Sequence, residues 1–247
     1  FKIDHTPVDG NKTDLARLAQ YSAEGVLLLL SDSTYADQPG YTLSEQLVGV
    51  ALDKAIGEAE GRVMVATFAS LISRVQQIIT AAHKHGRRVA VAGRSMVNNV
   101  RMALKMGYLE APDGVITDFG EMRGVPSNKL VIVTTGSQGE PTSALVRIAN
   151  LDHRDITIMP GDTVIVSSTP IPGNERLVSR TIDNLYRQGA KVLYHRIAMV
   201  HVHGHASQEE LKIMLNLVRP KYFVPIHGAY RHLVAHAGLA NSLGVPK

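Results

Sequence analysis

The stretch KLVIVTTGSQGEPTSALVRIAN, Lys129 to Asn150, decides the fold. Its run Leu130 to Val133 is unbroken and β-prone, with no polar residue at alternate positions. That is the pattern of a strand covered on both faces, and such strands belong to parallel sheets. A Gly-rich loop follows, then a helical segment with Pro141 in its expected first turn. The same unit recurs on either side. Upstream, RVMVATFAS leads into SRVQQIITAAHKHG, ended by Gly86, and RVAVAG leads into RSMVNNVRMALKMG, stopped at Gly107. Downstream, TVIVSS leads into NERLVSRTIDNLYRQG, and KVLYHRI supplies a further strand. A helix from Ser44 to about Ala59 precedes them all, with Leu47, Val48, Ala51, Leu52, Ala55 and Ile56 at helical spacing. Strands alternating with helices of about 10–15 residues predict βαβ units, hence an α/β fold with a largely parallel sheet. Glu110 to Asn128 interrupts the rhythm and reads as loop or edge structure.

The flanks read differently. FKID opens the chain as a short strand, and an amphipathic helix follows around Thr13 to Tyr21, capped by Thr13 or Asp14. EGVLLLLSDST then predicts a central strand buried on both faces, with Asp32 at its carboxyl end. That end is where α/β folds place ligands, although an Asp there serves equally to cap the next turn. Near the other terminus, HVHGHASQEEL carries His201, His203 and His205 at alternating positions of an expected strand end, with Gly204 and Ser207 leading into a helix. A second strand, Tyr222 to Ile226, ends on His227. Any one of these is easily an ordinary rim histidine. Imidazoles delivered by two neighbouring strand ends are a common basis for a hydrolytic metal site.

Composition bounds the rest. The 247 residues, 45% of them hydrophobic, suffice for a core in one or two domains. No run of 18 apolar residues is present, so no membrane span is expected, and FKIDHTP does not read as a signal peptide. Cysteine is absent, which excludes disulfides and thiolate sites, leaves any metal to His, Asp and Glu, and fits a cytoplasmic location. The net charge of +4 is compatible with a polyanionic partner, while the lack of Trp and the four Phe argue against a broad base-stacking surface. The loops FASLISR, GRSM, TGSQGEP and SSTPIPGNER precede helix N-termini and suit anion binding through backbone N–H groups. None is a P-loop, and no GxGxxG follows the first strand, so a nucleotide cofactor is not expected.

Several strings in order, nearly end to end, resemble ribonuclease J, a metallo-β-lactamase superfamily member with an inserted β-CASP domain. They are SDST, VATFAS with RVQQ, GRSMVN, TGSQGEP with SAL, PGDTVI, PIPGNER with SRTIDNL, GHASQEEL with MLNLVRPKYF, and PIHG followed by YR. The resemblance implies a β-CASP parallel-sheet domain over residues 44–191. It would be inserted in a partial metallo-β-lactamase αββα sandwich formed by residues 1–43 and 192–247. The implied activity is hydrolysis of RNA phosphodiester bonds, 5′-to-3′ on single-stranded RNA with a 5′ monophosphate and also endonucleolytic, in RNA maturation and decay. It would use two zinc ions, with manganese or magnesium as substitutes. The implied assembly is a homodimer or homotetramer, with other RNA-decay proteins as possible partners and no membrane.

Carried over residue by residue, the resemblance makes Asp32 the acidic residue that orients a histidine, His205 the general acid, and His227 a metal ligand. His201, Val202, His203, Gly204 and His205 match the segment that holds the RNA phosphate. Ser70, Leu71 and Ile72 match the pocket for the RNA 5′ end. Three positions depart from the family pattern. His203 replaces a usual Ser, and its imidazole is expected to keep the phosphate contact as a donor. Leu71 and Ser73 stand at the polar and histidine positions that usually follow TFAS. Ala229 replaces a carboxylate beside His227. The HxHxDH metal motif is not in this sequence, so the resemblance implies that the other metal ligands lie outside it and that the chain is a piece of a longer protein. A reading from another class is a non-catalytic RNA-binding or assembly module.

Overall fold

The computed structural model describes residues 1–245. In chain order its elements begin with α1 (Leu15–Glu24), β1 (Leu28–Asp32), α2 (Gln46–Glu58), β2 (Val63–Ala66), α3 (Ile72–Lys84), β3 (Arg88–Ala92) and α4 (Arg94–Lys105). A two-residue strand β4 (Ile116–Thr117) and two short 3₁₀ turns precede β5 (Leu130–Thr134) and α5 (Ala144–Ala149). Then come β6 (Thr163–Val166), α6 (Glu175–Arg187), β7 (Lys191–Tyr194), α7 (Gln208–Val218), β8 (Tyr222–Ile226) and α8 (Tyr230–Ser242). These divide into two compact units, residues 1–45 with 202–247, and residues 46–201.

In the unit of residues 46–201, six parallel strands lie in the order β4-β3-β5-β2-β6-β7. The runs that decided the reading are the buried centre: every residue of β2, β5 and β6 is inside. Helices supply the cover by burying one stripe each, Val75, Ile78 and Ile79 from α3 and Val178, Ile182 and Leu185 from α6. Each such side chain contributes about 1.5–3 kcal/mol by leaving water. At the edge, Glu110 to Asn128 holds β4 beside β3, as the broken rhythm predicted. The amino ends of β2 and β6 are tied by a buried fork, Arg62 Nη2 and Nε donating to Asp162 Oδ2 and Oδ1 at 2.6 and 3.2 Å. Gly139 sits at φ 74° where a Cβ would meet the Leu177 backbone at 2.7 Å, so the TGSQGEP loop needs glycine there.

In the unit of residues 1–45 and 202–247, β1 pairs in parallel with β8, Leu28 against Tyr222 through Asp32 against Ile226. One face of this pair packs Leu29 and Phe223 against Leu215, Ala240 and Val245. The opposite face leaves Leu28, Leu30, Tyr222 and Val224 exposed, Leu30 by 54%.

Several expectations are corrected. β1 is not buried on both faces, because among the described residues only one face carries packed helices. FKID is not a strand; the Ile3 N–H donates to the Glu210 carboxylate at 2.8 Å instead of to a ladder. β7 stops at Tyr194, so His201 to His205 lie on an irregular segment and not a strand end. α5 starts at Ala144 with Ser143 as its cap, which leaves Pro141 in the preceding turn. Within the described residues, no helix is long and apolar enough to cross a membrane.

Candidate functional site

The parallel pairing of β1 and β8 places their carboxyl ends together, which brings Asp32 and His227 to one edge. Ser33 locks this edge, its N–H donating to the carbonyls of Ile226 and His227 at 2.9 and 3.2 Å. His227 is held at φ 59°, a left-handed conformation that costs an L-residue roughly 1–2 kcal/mol. Strain of that kind persists only where the surroundings over-determine it, and it clusters at functional sites.

His205 arrives on the segment before α7. Its Nδ1 lies 2.7 Å from Asp32 Oδ2, while Asp32 Oδ1 accepts from the Thr34 N–H at 3.0 Å and the Thr34 hydroxyl at 2.7 Å. Burial pushes the Asp32 carboxyl up, but these hydrogen bonds, the one with His205 first, outweigh it and hold the group well below the usual carboxylate range. An ionised Asp32 accepts only, so the His205 Nδ1 carries the hydrogen and Nε2 is left for chemistry. The rings of His205 and His227 are 5.5 Å apart and 25° from parallel. The Phe1 nitrogen is 3.4 Å from Asp32 Oδ2.

Asp32, His205 and His227 each offer one donor atom within 4.8 Å of the others. Carboxylate oxygen and imidazole nitrogen suit zinc or manganese; Asp32 and His205 are bonded to each other, so His227 is the member that fits a divalent ion as part of its shell. Three donors do not complete the shells of two ions.

The other predicted residues are placed unequally. His203 is not a free donor: its Nδ1 donates to the backbone carbonyl of His205 at 2.8 Å, and its ring stacks on Tyr35 at 3.7 Å and 5°. Burial pushes its imidazole below the ordinary histidine value, so the neutral ring is favoured. Gly204 is exposed, Val202 is buried and His201 is half-buried. Ser70 is exposed, with Leu71 as the cap of α3 and Ile72 its first residue; the loop is fixed by Asn99 donating to the Ala69 carbonyl at 2.9 Å. These three belong to the other unit, residues 46–201.

The sequence reading missed the residues that support the site. The buried Glu210 carboxylate accepts from Ile3, Thr42 and Ser207 N–H groups at 2.8, 2.7 and 3.0 Å. Thr42 in turn donates its hydroxyl to the His205 carbonyl at 2.8 Å. The Ser-x-x-Glu spacing of Ser207 and Glu210 is a capping signature that could have revealed part of this. The buried His236 Nδ1 meets the Ser33 hydroxyl at 2.9 Å, and burial pushes this imidazole down to about 4. No local pattern marks it.

Two family models match the chain: the ribonuclease J β-CASP domain over residues 60–185, and the Zn-dependent metallo-hydrolase RNA specificity domain over residues 189–246. Ribonuclease J of Synechocystis sp. is 52% identical over 246 residues, which cover 100% of this chain and 38% of that protein. The Thermus thermophilus ribonuclease J is also 52% identical over 246 residues, with 100% of this chain and 43% of that protein covered. Bacillus subtilis ribonuclease J2 is 44% identical over 247 residues, with coverage of 100% and 44%. The chain therefore spans about two-fifths of the length of the curated relatives it matches. With its parallel sheet, its Asp32–His205 pair and both family models in register, the chain belongs to the ribonuclease J family of β-CASP proteins.

Proposed function

We propose that this chain forms part of a metal-dependent ribonuclease that hydrolyses RNA phosphodiester bonds, 5′-to-3′ from a 5′ monophosphate and endonucleolytically. The observation that carries the reading is the 2.7 Å bond between Asp32 and His205 beside His227. Asp32 fixes the tautomer and orientation of His205, so that Nε2 can deliver a proton to the leaving oxygen as the phosphorus–oxygen bond breaks. Divalent ions, two zinc ions or manganese or magnesium in their place, would supply polarisation of the phosphate and a lowered pKa for the attacking water. His227 would be one of their ligands. The segment from His201 to His205, within which His203 serves as a brace, and the turn Ser70 to Ile72 contact the RNA phosphates and its 5′ end. Domain borders at 43/44 and 191/192, a dimeric or tetrameric assembly, further RNA-decay partners and a cytoplasmic role in ribosomal and messenger RNA processing belong to the same proposal.

The test uses the longer protein that carries this chain, supplied with zinc or manganese and 5′-monophosphorylated RNA. Replacing His205 by Ala is expected to lower turnover by roughly 10²–10⁴, the usual share of a general acid, with metal content unchanged. Loss of bound metal in that variant would show His205 to be a ligand instead. RNA binding without cleavage by the fully metallated protein would favour the non-catalytic binding module.

A further inference from the structure

A cavity of about 380 Å³ opens in the unit of residues 46–201, at the carboxyl end of β3. That volume lies within the range of roughly 300–1,000 Å³ typical of small-molecule sites. Its wall combines Gly93 and Arg94 at the start of α4, Phe119 from the turn after β4, Arg147 of α5, and His153 and Arg154 just beyond it. Three arginines thus belong to the wall of one cavity, and no ion pair is formed by any of them among the described residues. Arg147 donates only to the Asp152 carbonyl, and the one carboxylate in the wall, Asp155, is taken by Arg123 at 3.2 Å. Arginines in one cavity wall that have no ion-pair partner favour an anionic ligand.

Two further features define what that anion carries. His153 Nδ1 accepts the N–H groups of Asp155 and Ile156, both at 3.2 Å, so the ring hydrogen sits on Nε2. Burial, and then Arg147, push this imidazole below its ordinary value, which favours the neutral tautomer with its Nε2–H as a donor. Beside it the half-buried Phe119 ring stands 6.4 Å from the His153 ring at 49°, an apolar wall against which a planar base can lie. Beside the cavity the backbone also passes close to Thr135, just after β5. Gly93 has φ 98°, and a Cβ there would stand 2.8 Å from Thr135 Oγ1. The TGSQGEP loop makes a contrast, because its buried Gln138 is spent on Ser168, Thr169 and Ile171.

We propose that this cavity binds a nucleoside monophosphate unit, with its phosphate held by Arg94, Arg147 and Arg154, its base against Phe119 and a hydrogen bond from His153 Nε2. The unit is either a free nucleotide or one residue of an RNA chain. The inference does not rest on the nuclease reading, because binding here needs neither metal nor cleavage.

The test is equilibrium binding of fluorescent etheno-AMP to the full-length protein in EDTA, with His205→Ala as background so that no RNA is cleaved. The Arg94→Ala/Arg154→Ala double variant is expected to weaken binding at least tenfold. Arg101→Ala, an exposed position on the same helix, leaves it unchanged. Because all three arginines are exposed, circular dichroism should show the fold retained. UMP is expected to compete, and a short oligouridylate that competes more tightly identifies RNA as the source of the unit. Affinity and binding stoichiometry that both survive the double substitution overturn the site, because retained binding at Ser70 to Ile72 alone would lower the stoichiometry. Inorganic phosphate competing as well as UMP overturns the base contact with Phe119.

Discussion

His203 donates its Nδ1 hydrogen to the backbone carbonyl of His205 at 2.8 Å while its ring lies flat on Tyr35. The segment before α7 is irregular, so this bond and the one from Thr42 do what a β-ladder would otherwise do for His205. The His203 imidazole is thus a brace for its neighbour. Removing one hydrogen bond costs about 0.5–1.5 kcal/mol, which is up to roughly tenfold in rate when the bond acts on a catalytic geometry. In the longer protein, His203→Phe keeps the stacking and is expected to lower kcat by about that factor with KM unchanged. His203→Asn restores the donor and recovers part of the loss. A rise in KM with normal kcat would return His203 to the phosphate.

Asp32→Asn should be more severe. An amide cannot stabilise a protonated His205, and it can offer a hydrogen where Nδ1 needs an acceptor. The loss in kcat is expected to be about 10² or more, within the range for general acid catalysis. Metal analysis of the same variant distinguishes this from loss of a ligand: retained metal with low turnover is the expected result.

The left-handed backbone of His227 allows a comparison of two variants. His227→Ala and His227→Gly both delete the imidazole, yet only glycine adopts φ 59° without strain. The glycine variant is expected to be more stable than the alanine variant by about 1 kcal/mol, read as a higher urea midpoint. Equal midpoints would mean that the backbone strain is relieved in solution.

His236 ties stability to pH. Its folded value of about 4 lies below the ordinary 6.5, so the unfolded chain takes up the proton first. The contribution is complete above pH 6.5 and is lost as pH falls towards 4, by up to about 3 kcal/mol. Urea unfolding of the parent and of His236→Phe at pH 7.5 and 4.5 checks this: the parent should lose more on acidification. Parallel losses would exclude His236 as the titrating group.

Glu210→Gln tests the brace beneath the loop. Three backbone N–H groups share this carboxylate, and an amide offers only one acceptor oxygen. Leaving buried donors unsatisfied costs about 1–3 kcal/mol, and bonds to a charged group lie at the upper end. Thermal unfolding should show that loss without a change in secondary structure.

The sheet of residues 46–201 was legible because buried parallel strands are chemically monotonous, and VMVA, LVIVT and TVIV can hardly be anything else. β8 was read to the residue. The Leu27 to Leu30 run misled because hydrophobicity states that a strand prefers burial, not what covers it. His201, His203 and His205 misled because an alternating pattern fits a strand equally well when side-chain bonds, not a ladder, hold the segment. Asp32, His205 and His227 were nameable from local strings. Ser33, Thr42 and His236 were not, since each acts through a partner distant in sequence and leaves no periodic trace.

The pairing of Leu28 with Tyr222 also sets a timetable for biosynthesis. Roughly 190 residues separate the two strands, so at about 5–20 residues per second β1 waits some 10–40 s for its partner to leave the ribosome. The sheet of residues 46–201 has only shorter crossovers to close and can form during that interval. Throughout it, Leu28 to Asp32 lack their β8 partner, so the edge that carries Asp32 and His227 is assembled only after the larger sheet.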